Sequence, residues 1–175
     1  MSKRPILRTE RLELRVPQRD DLSGLVELVT AEPTRRFLGK AQPTQAAQFE
    51  RLMRNIGGWT IYGYGNFSVR LRGEAALIGS CGVFHSWRGF GKGMDDVPEA
   101  GWIIRHDHWG KGIASEAMQA ILAWFDATHG PRRIAAMIEQ GNTASQKVAW
   151  TLGFLAYAEQ VFEGAPLVLY ERLPS

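Results

Sequence analysis

Two glycines flank a lysine at the start of a predicted helix, and this arrangement could bind an anion. Trp109-Gly110-Lys111-Gly112 follows an apolar segment and leads into Ile113, where helical periodicity begins. Glycine has no Cβ, so the backbone N–H groups of such a loop can approach a ligand closely. The unpaired N–H groups and positive dipole end of the following helix add to this attraction. The loop therefore predicts a site for a phosphate or pyrophosphate.

The two common nucleotide-binding loops do not match this segment. A Walker A loop requires Gly-Lys-Ser/Thr after its spacer residues, and that string is missing from the chain. A dinucleotide fingerprint requires Gly or Ala three residues after its second glycine, where this chain has Ser115. A glycine-rich helix entrance without a ligand is the simpler interpretation of Gly-x-Gly taken alone.

Metal and thiol chemistry have weak support in the sequence. His106 and His108 flank Asp107 and are residue types that bind metals, but a third ligand is missing, so we predict no metal site. Cys81 is the only cysteine, which excludes an internal disulfide framework and a multi-cysteine zinc site. Its apolar strand favours a small, unreactive core residue.

The elements that must position the glycine loop form a mixed α/β pattern. Alternating apolar residues predict a central, mostly antiparallel, twisted sheet of about six to seven strands, and periods of three and four predict about four helices. The strands are predicted at 11–16, 67–71, 76–85, 99–105, 133–138, 155–162 and 166–173. The helices are predicted from Asp20 or Asp21 to near Pro33, from Thr44 to Gly57-Gly58, from Ile113 to Phe125, and from Asn142 or Thr143 to Leu152. The composition of Ser86–Val97 predicts a mobile loop.

Length and composition indicate one globular domain over 1–175, with its core at about 6–173. The chain has 175 residues, of which 45% are hydrophobic, and this excludes disorder as the main state. The formal net charge of +3 gives little support for a nucleic-acid partner, so we predict none. No apolar run approaches the ~20 residues that span a bilayer, and the charged start does not resemble a signal peptide. We therefore expect a cytoplasmic protein with no membrane partner.

Several motifs in order resemble the GNAT acyl-CoA-dependent N-acetyltransferases. They are 99–104 (EAGWII), 109–117 (WGKGIASEA), and 142–154, from Asn-Thr-Ala-Ser to Gly-Phe. The opening at 9–15 (TERLELR) is similar to the branch that contains the ribosomal-protein-alanine N-acetyltransferases. The resemblance covers nearly the whole chain. It implies an acyltransferase that takes an acetyl group from acetyl-CoA and transfers it to a primary amine, as a monomer or homodimer.

The resemblance also implies which residues bind acetyl-CoA. The family places the pyrophosphate on the loop before the central helix, and it pairs the pantetheine arm with a strand that splays from its neighbour. Family members commonly begin the loop with Gln or Arg, where this chain has Trp109. The cofactor-binding residues carried over are Ile103, Ile104, Arg105, Trp109, Gly110, Lys111, Gly112, Ile113, Ala114, Ser115 and Asn142.

The chemistry of acyl transfer decides which catalytic residues are needed. A lysine side chain with a pKa of about 10.4 is mostly protonated at pH 7, whereas an α-amine with a pKa of about 8 needs little help from a base. Glu99 is the candidate base, directly or through water, although an exposed strand-end carboxylate without a catalytic role is an equal alternative. By resemblance, a backbone N–H of 103–105 polarises the acyl carbonyl. Relatives use a tyrosine as the acid where this chain has Ala149 or Trp150, so Ser145 is the substitute candidate.

The sequence leaves the amine acceptor open. On branch resemblance, we expect a protein or peptide N-terminal α-amine. A small-molecule amine is the first alternative. A non-catalytic acyl-CoA-binding sensor is the second, because the family's tyrosine is missing. The segments Thr34–Gly65 and Ser86–Val97 are expected to set selectivity.

Overall fold

A single eight-stranded sheet and five α-helices make up the described part of the chain. The structure is a computed structural model that describes residues 7–39 and 43–174. Residue 6 of the predicted core and residues 40–42 of the segment Thr34–Gly65 lie outside these ranges. The strands are β1 (Leu7–Arg8), β2 (Leu12–Arg15), β3 (Asn66–Leu71), β4 (Gly79–Trp87), β5 (Asp95–Ile104), β6 (Ile134–Glu139), β7 (Leu155–Phe162) and β8 (Ala165–Arg172). The helices are α1 (Leu22–Thr30), α2 (Glu32–Arg35), α3 (Gln45–Tyr62), α4 (Ile113–His129) and α5 (Thr143–Thr151).

The sheet opens between two neighbouring strands. Its order is β1-β2-β3-β4-β5-β6-β8-β7, and every pair of neighbours is antiparallel except β5 and β6. The parallel pair has a single point of register, between Glu99 and Ala135. Beyond that point, β5 continues to Ile104 and β6 continues to Glu139 without pairing to each other. The two strands therefore diverge and leave a gap in the sheet.

Helix α4 is fixed against the sheet by its apolar face, which is why its first turn has a defined position. Ile113, Ala117, Ile121 and Phe125 are all buried in the main core. They follow one another at intervals of four residues, so they lie along one side of the helix. Because Ile113 is the first helical residue, this packing holds the N-terminus of α4 beside the end of β5.

The mixed α/β prediction with a mostly antiparallel sheet is confirmed, but the predicted counts are too low. The additional strand is β1, a two-residue element that pairs with β2. The additional helix is α2, a single turn of four residues. Both elements are too short for hydrophobic periodicity to reveal them.

Helix α3 begins where the sequence predicts and ends later. The Thr44 hydroxyl accepts a hydrogen bond from the Ala47 N–H at 3.1 Å, as expected for an N-cap. The helix continues through Gly57-Gly58 and ends at Gly63, which has a φ of 76°. Trp59 explains the extension, because its ring packs 4.8 Å from that of Phe67 and its indole N–H donates to the Asn66 carbonyl.

The segment Ser86–Val97 is more ordered than its glycine content predicts. Strand β4 continues to Trp87, and β5 begins at Asp95. The Asp95 carboxylate accepts hydrogen bonds from the backbone N–H groups of Gly89 and Gly91. The Met94 side chain is fully buried. The prediction of a mobile loop over the whole segment is therefore wrong, because the glycines serve a short turn between two paired strands.

Candidate active site

A long cleft crosses the sheet at the gap between β5 and β6. It consists of two connected cavities, of about 770 Å³ and about 440 Å³. The smaller cavity is bordered by the glycine loop and the start of α4, and the larger one contains Glu99 and Arg88. Both volumes are in the range of ligand sites. The residues that line both cavities mark where the two meet, and they are Phe37, Leu38, Trp102, Ile103, Asn142 and Ser145.

The edge of β5 presents backbone groups to the gap. The Arg105 N–H donates to the Ile78 carbonyl of the segment leading into β4, at 2.8 Å. Backbone groups alternate in direction along a strand, so those of Ile103 also face β4, whereas those of Trp102 and Ile104 face the gap. The prediction that 103–105 supplies the carbonyl-polarising N–H is therefore wrong for the amides of Ile103 and Arg105, because both serve the sheet. Ile104 remains a candidate for the carbonyl-polarising N–H, and Trp102 becomes a second candidate.

Trp109 holds the glycine loop against β5. Its indole N–H donates to the Ile104 carbonyl at 2.7 Å, although about half of the residue is exposed. The side chain therefore positions the loop, and its only hydrogen-bond donor is already occupied.

The backbone of the loop presents a row of amides. Gly110 and Gly112 have φ values of 71° and 73°, a left-handed conformation that favours glycine. Within 7–39 and 43–174, no N–H from Gly110 to Ser115 has a hydrogen-bond acceptor. A Cβ placed on Gly112 would meet only the Arg11 guanidinium, at 3.7 Å, and otherwise open space. Free amides at a helix N-terminus with open space before them fit a pyrophosphate.

An ion pair ties the first hairpin of the chain to this loop. The Glu116 carboxylate accepts hydrogen bonds from the Thr9 hydroxyl and from the Arg11 guanidinium, the latter at 2.6 Å. Arg11 also donates to the Lys111 carbonyl at 2.9 Å. Burial alone raises the pKa of Glu116, but the hydrogen bonds from Thr9 and Arg11 lower it overall. The carboxylate is thus neutralised by Arg11 rather than left to repel a bound anion.

This ion pair predicts how stability changes with pH. Since folding lowers the pKa of Glu116, the ionised group stabilises the protein above its unfolded pKa of about 4.3. That contribution is lost as the pH falls through the lower, folded value. The difference in free energy of unfolding between wild type and Glu116→Gln should therefore be largest near pH 6–7 and should shrink below about pH 4.

Chemical denaturation from pH 3 to pH 7 measures this difference. Glu10→Gln is the matched control, because Glu10 is exposed on the same hairpin. Its effect on stability should be small throughout. An effect of Glu116→Gln that does not change with pH would contradict the assignment.

The start of α5 supplies polar side chains at the junction of the two cavities. Asn142 caps the helix, with its side-chain oxygen accepting the Ser145 N–H at 3.1 Å. The Ser145 hydroxyl accepts a weak hydrogen bond from the Trp102 indole N–H at 3.3 Å. The Ser145 hydroxyl proton therefore remains available toward the cleft. The positions proposed for the family's tyrosine do not serve here, since Ala149 is buried and Trp150 is 74% exposed, and neither lines a cavity.

Glu99 lies in the cleft wall as one partner of a buried ion pair. Arg88 donates to both carboxylate oxygens, at 2.6 and 2.9 Å, and the Ser86 hydroxyl donates at 2.6 Å. Glu99 is only 2% exposed, so the alternative of an exposed strand-end carboxylate is wrong. To accept a proton, Glu99 would have to give up its pairing with Arg88. The base role of Glu99 stays a prediction.

Sequence reasoning missed two contributors to the site. Arg88 holds Glu99, and Trp102 contributes both a gap-facing backbone and an indole N–H that contacts Ser145. The sequence did not reveal Arg88, because its ion pair with Glu99 depends on the hairpin register that places Phe84 opposite Glu99. Trp102 could have been found from strand alternation once the partner of Arg105 was known.

Searches for other site types give negative results within the residues that the structure describes. No group of three or more His, Cys, Asp or Glu side chains is arranged to hold a metal ion. None of the described helices combines the length and apolar character needed to cross a membrane. The Cys81 thiol is fully buried, and burial raises its pKa to about 12, which does not suit a nucleophile.

Comparison with known proteins agrees with the geometry of the cleft. A model of the acetyltransferase (GNAT) domain matches residues 11–155. A GNAT-family acetyltransferase from Bordetella pertussis is 34% identical, with a TM-score of 0.86, over 97% of this chain and 99% of that chain. The uncharacterized N-acetyltransferase p20 of Bacillus licheniformis is 29% identical over 149 residues, which are 85% of this chain and 81% of the relative.

A third comparison involves a structure with bound coenzyme. RimL, a ribosomal L7/L12 α-N-protein acetyltransferase solved in complex with coenzyme A, shares the fold. Its TM-score is 0.76 at 17% identity, over 97% of this chain and 98% of that chain. The domain match over most of the chain and the Bordetella relative over nearly all of it establish the family. The chain belongs to the GNAT acetyltransferases and is an acyl-CoA-dependent N-acetyltransferase.

Proposed function

We propose that the acceptor is the α-amine at the N-terminus of a protein or peptide. The observation that carries this proposal is the continuity of the cleft, from the free amides of 110–115, past the edge of β5, into a cavity of about 770 Å³. A cavity of this size is in the range of small-molecule sites, and it is also large enough for the first residues of an extended peptide. Fold similarity to RimL, which acts on an α-amine, supports the same acceptor class.

Different residues along the cleft have different roles in the reaction. The amides of 110–115 hold the pyrophosphate, and the edge of β5 at Trp102 and Ile104 orients the arm that carries the acyl group. Bound acetyl-CoA supplies the thioester. A gap-facing N–H of Trp102 or Ile104 donates to the acyl oxygen, where negative charge develops.

The reaction requires two proton movements. The amine nitrogen forms a bond to the acyl carbon as the carbon–sulfur bond breaks, and the amine then loses a proton while the thiolate gains one. An α-amine with a pKa near about 8 is partly neutral at pH 7, so it attacks with little assistance. The leaving thiol has a pKa near that of cysteine, about 8.5, and Ser145 is the candidate donor of its proton. Orientation and carbonyl polarisation therefore account for most of the acceleration.

Thiol release from acetyl-CoA tests the acceptor class. We expect turnover with a short peptide that has a free α-amine. A second peptide, which has the same sequence including an internal lysine but a blocked N-terminus, should give no turnover. Turnover with a simple alkylamine but with no peptide would contradict the proposal and favour the small-molecule alternative. Coenzyme A binding without thiol release in any mixture would favour the sensor.

A further inference from the structure

Helix α3 brings two arginines to the acceptor half of the cleft. Arg51 and Arg54 are three residues apart, so they lie on neighbouring positions of one helix face. Both line the larger cavity, and neither lines the smaller cavity beside the glycine loop. They are therefore placed to contact an acceptor rather than the pyrophosphate.

Among the residues that the structure describes, no carboxylate neutralises these two arginines. Across 7–39 and 43–174, neither Arg51 nor Arg54 has an ion pair or a side-chain hydrogen bond. The residues outside those ranges include no Asp or Glu in the sequence. Arg88, the third arginine of the cavity wall, is already paired with Glu99. The cleft therefore contains two guanidinium groups whose charge a ligand could balance.

The charges of the cavity wall favour binding of an anion. Desolvation lowers the pKa of the Arg51 guanidinium, and repulsion from Arg54 and Arg88 lowers it further. Arg51 and Arg54 are both exposed residues, so solvent weakens this repulsion without removing it. The other carboxylates that line the cavity, Glu139 and Glu163, lie beyond ion-pair distance of these arginines. A carboxylate between the arginines would relieve the repulsion and could accept paired N–H groups from the planar guanidinium.

We propose that Arg51 and Arg54 form a subsite for a carboxylate of the acceptor, so that the enzyme selects N-termini with Asp or Glu within the first few residues. This inference rests on the proposed function and names the acceptor more closely. The amine enters at the junction beside Ser145, and the acidic side chain contacts α3.

Peptides that differ only in the charge of their second and third residues test the subsite. Three peptides should share a free N-terminal serine and differ only in carrying Glu, Gln or Lys at the second and third positions. With the wild-type enzyme, we expect the Glu peptide to have a KM about tenfold below that of the Gln peptide, and the Lys peptide to have the highest KM. The advantage of the Glu peptide should fall as ionic strength rises.

Variants of the two arginines test whether α3 causes the lower KM of the Glu peptide. Arg51→Gln/Arg54→Gln should remove the difference between the Glu and Gln peptides while changing the KM for acetyl-CoA less than about twofold. Arg51→Glu/Arg54→Glu should reverse the order in favour of the Lys peptide, which a loss of folding cannot do. Arg19→Gln is the matched control, because Arg19 is exposed and lines neither cavity. It should keep the wild-type preference.

Two outcomes separate this inference from the proposed function. Equal KM values for all three peptides with the wild-type enzyme would overturn the arginine subsite and leave N-terminal acetylation intact. Turnover of free glutamate, but of no peptide, would overturn the proposed function. If the KM for glutamate then rose in Arg51→Gln/Arg54→Gln, the carboxylate subsite would still be supported.

Discussion

Replacing Gly112 by valine should raise the Kd for coenzyme A by about 10- to 100-fold, the cost of losing one or two hydrogen bonds to a charged group. Two physical effects act together. Gly112 has a φ of 73°, which a β-branched residue adopts only with strain. A side chain there would also extend into the open space in front of the free amides of 110–115. Calorimetric titration of coenzyme A into the native protein measures the change.

A variant at a second glycine distinguishes the effect of backbone strain from the loss of coenzyme A binding. Gly73 has a φ of 80° and open space around it, but it lies in the turn after β3 and lines neither cavity. Gly73→Val should therefore cost comparable stability, of about 1–2 kcal/mol, and leave the Kd unchanged. An unchanged Kd in Gly112→Val would show that the pyrophosphate does not bind at this loop.

Removing the Glu99 carboxylate should destabilise the protein more than any other single change considered for the cleft. Glu99→Ala removes a buried carboxylate and leaves Arg88, whose side chain is 25% exposed, without its partner, and such a loss costs about 2–3 kcal/mol. Glu171→Ala is the matched control, because its ion pair with Arg133 is more than one quarter exposed on both sides. It should cost about 1 kcal/mol or less. Chemical denaturation gives both values, and equal losses would contradict the importance of the buried pair.

The milder Glu99→Gln variant distinguishes the two roles of this residue. A base is needed most where the amine is protonated, so loss of a base should lower kcat most at low pH. A residue that only positions the cleft wall should lower kcat by a similar factor at every pH. Because both Glu99 oxygens are occupied by Arg88 and Ser86, we expect the pH-independent result. A loss of kcat concentrated at low pH would support the prediction that Glu99 is the base.

Local sequence signals accounted for the structure of the glycine loop and of the helices beside it. The two glycines, the periodic face from Ile113 to Phe125 and the N-cap at Asn142 act over a few residues, so their structure could be predicted without knowing the rest of the fold. The divergence of β5 and β6 was expected from the family resemblance alone and not from any local pattern, because it depends on a strand order that places β8 on the far side of β6. The same limit applies to the Arg88–Glu99 pair, which joins residues on opposite sides of a hairpin.

The acceptor half shows why composition alone misleads. The glycines of 89–93 indicated mobility, but Asp95 and the buried side chain of Met94 fix the turn. Gly57-Gly58 indicated a helix end, but the packing of Trp59 outweighs the weak helix propensity of glycine. In both places, contacts distant in sequence decide the local conformation.

The indole of Trp109 determines which hydrogen-bonding groups the gap in the sheet offers. It occupies the carbonyl of Ile104, so the exposed edge of β5 offers an N–H and a carbonyl at Trp102 but only an N–H at Ile104. A ligand that lies along this edge must place a hydrogen-bond acceptor, a donor and a second acceptor opposite these three groups. Without the indole, the same edge would also offer the carbonyl of Ile104 and would accept a second donor. Trp109 thus limits the number of hydrogen bonds that a ligand can make with β5 and fixes which of its groups must be acceptors.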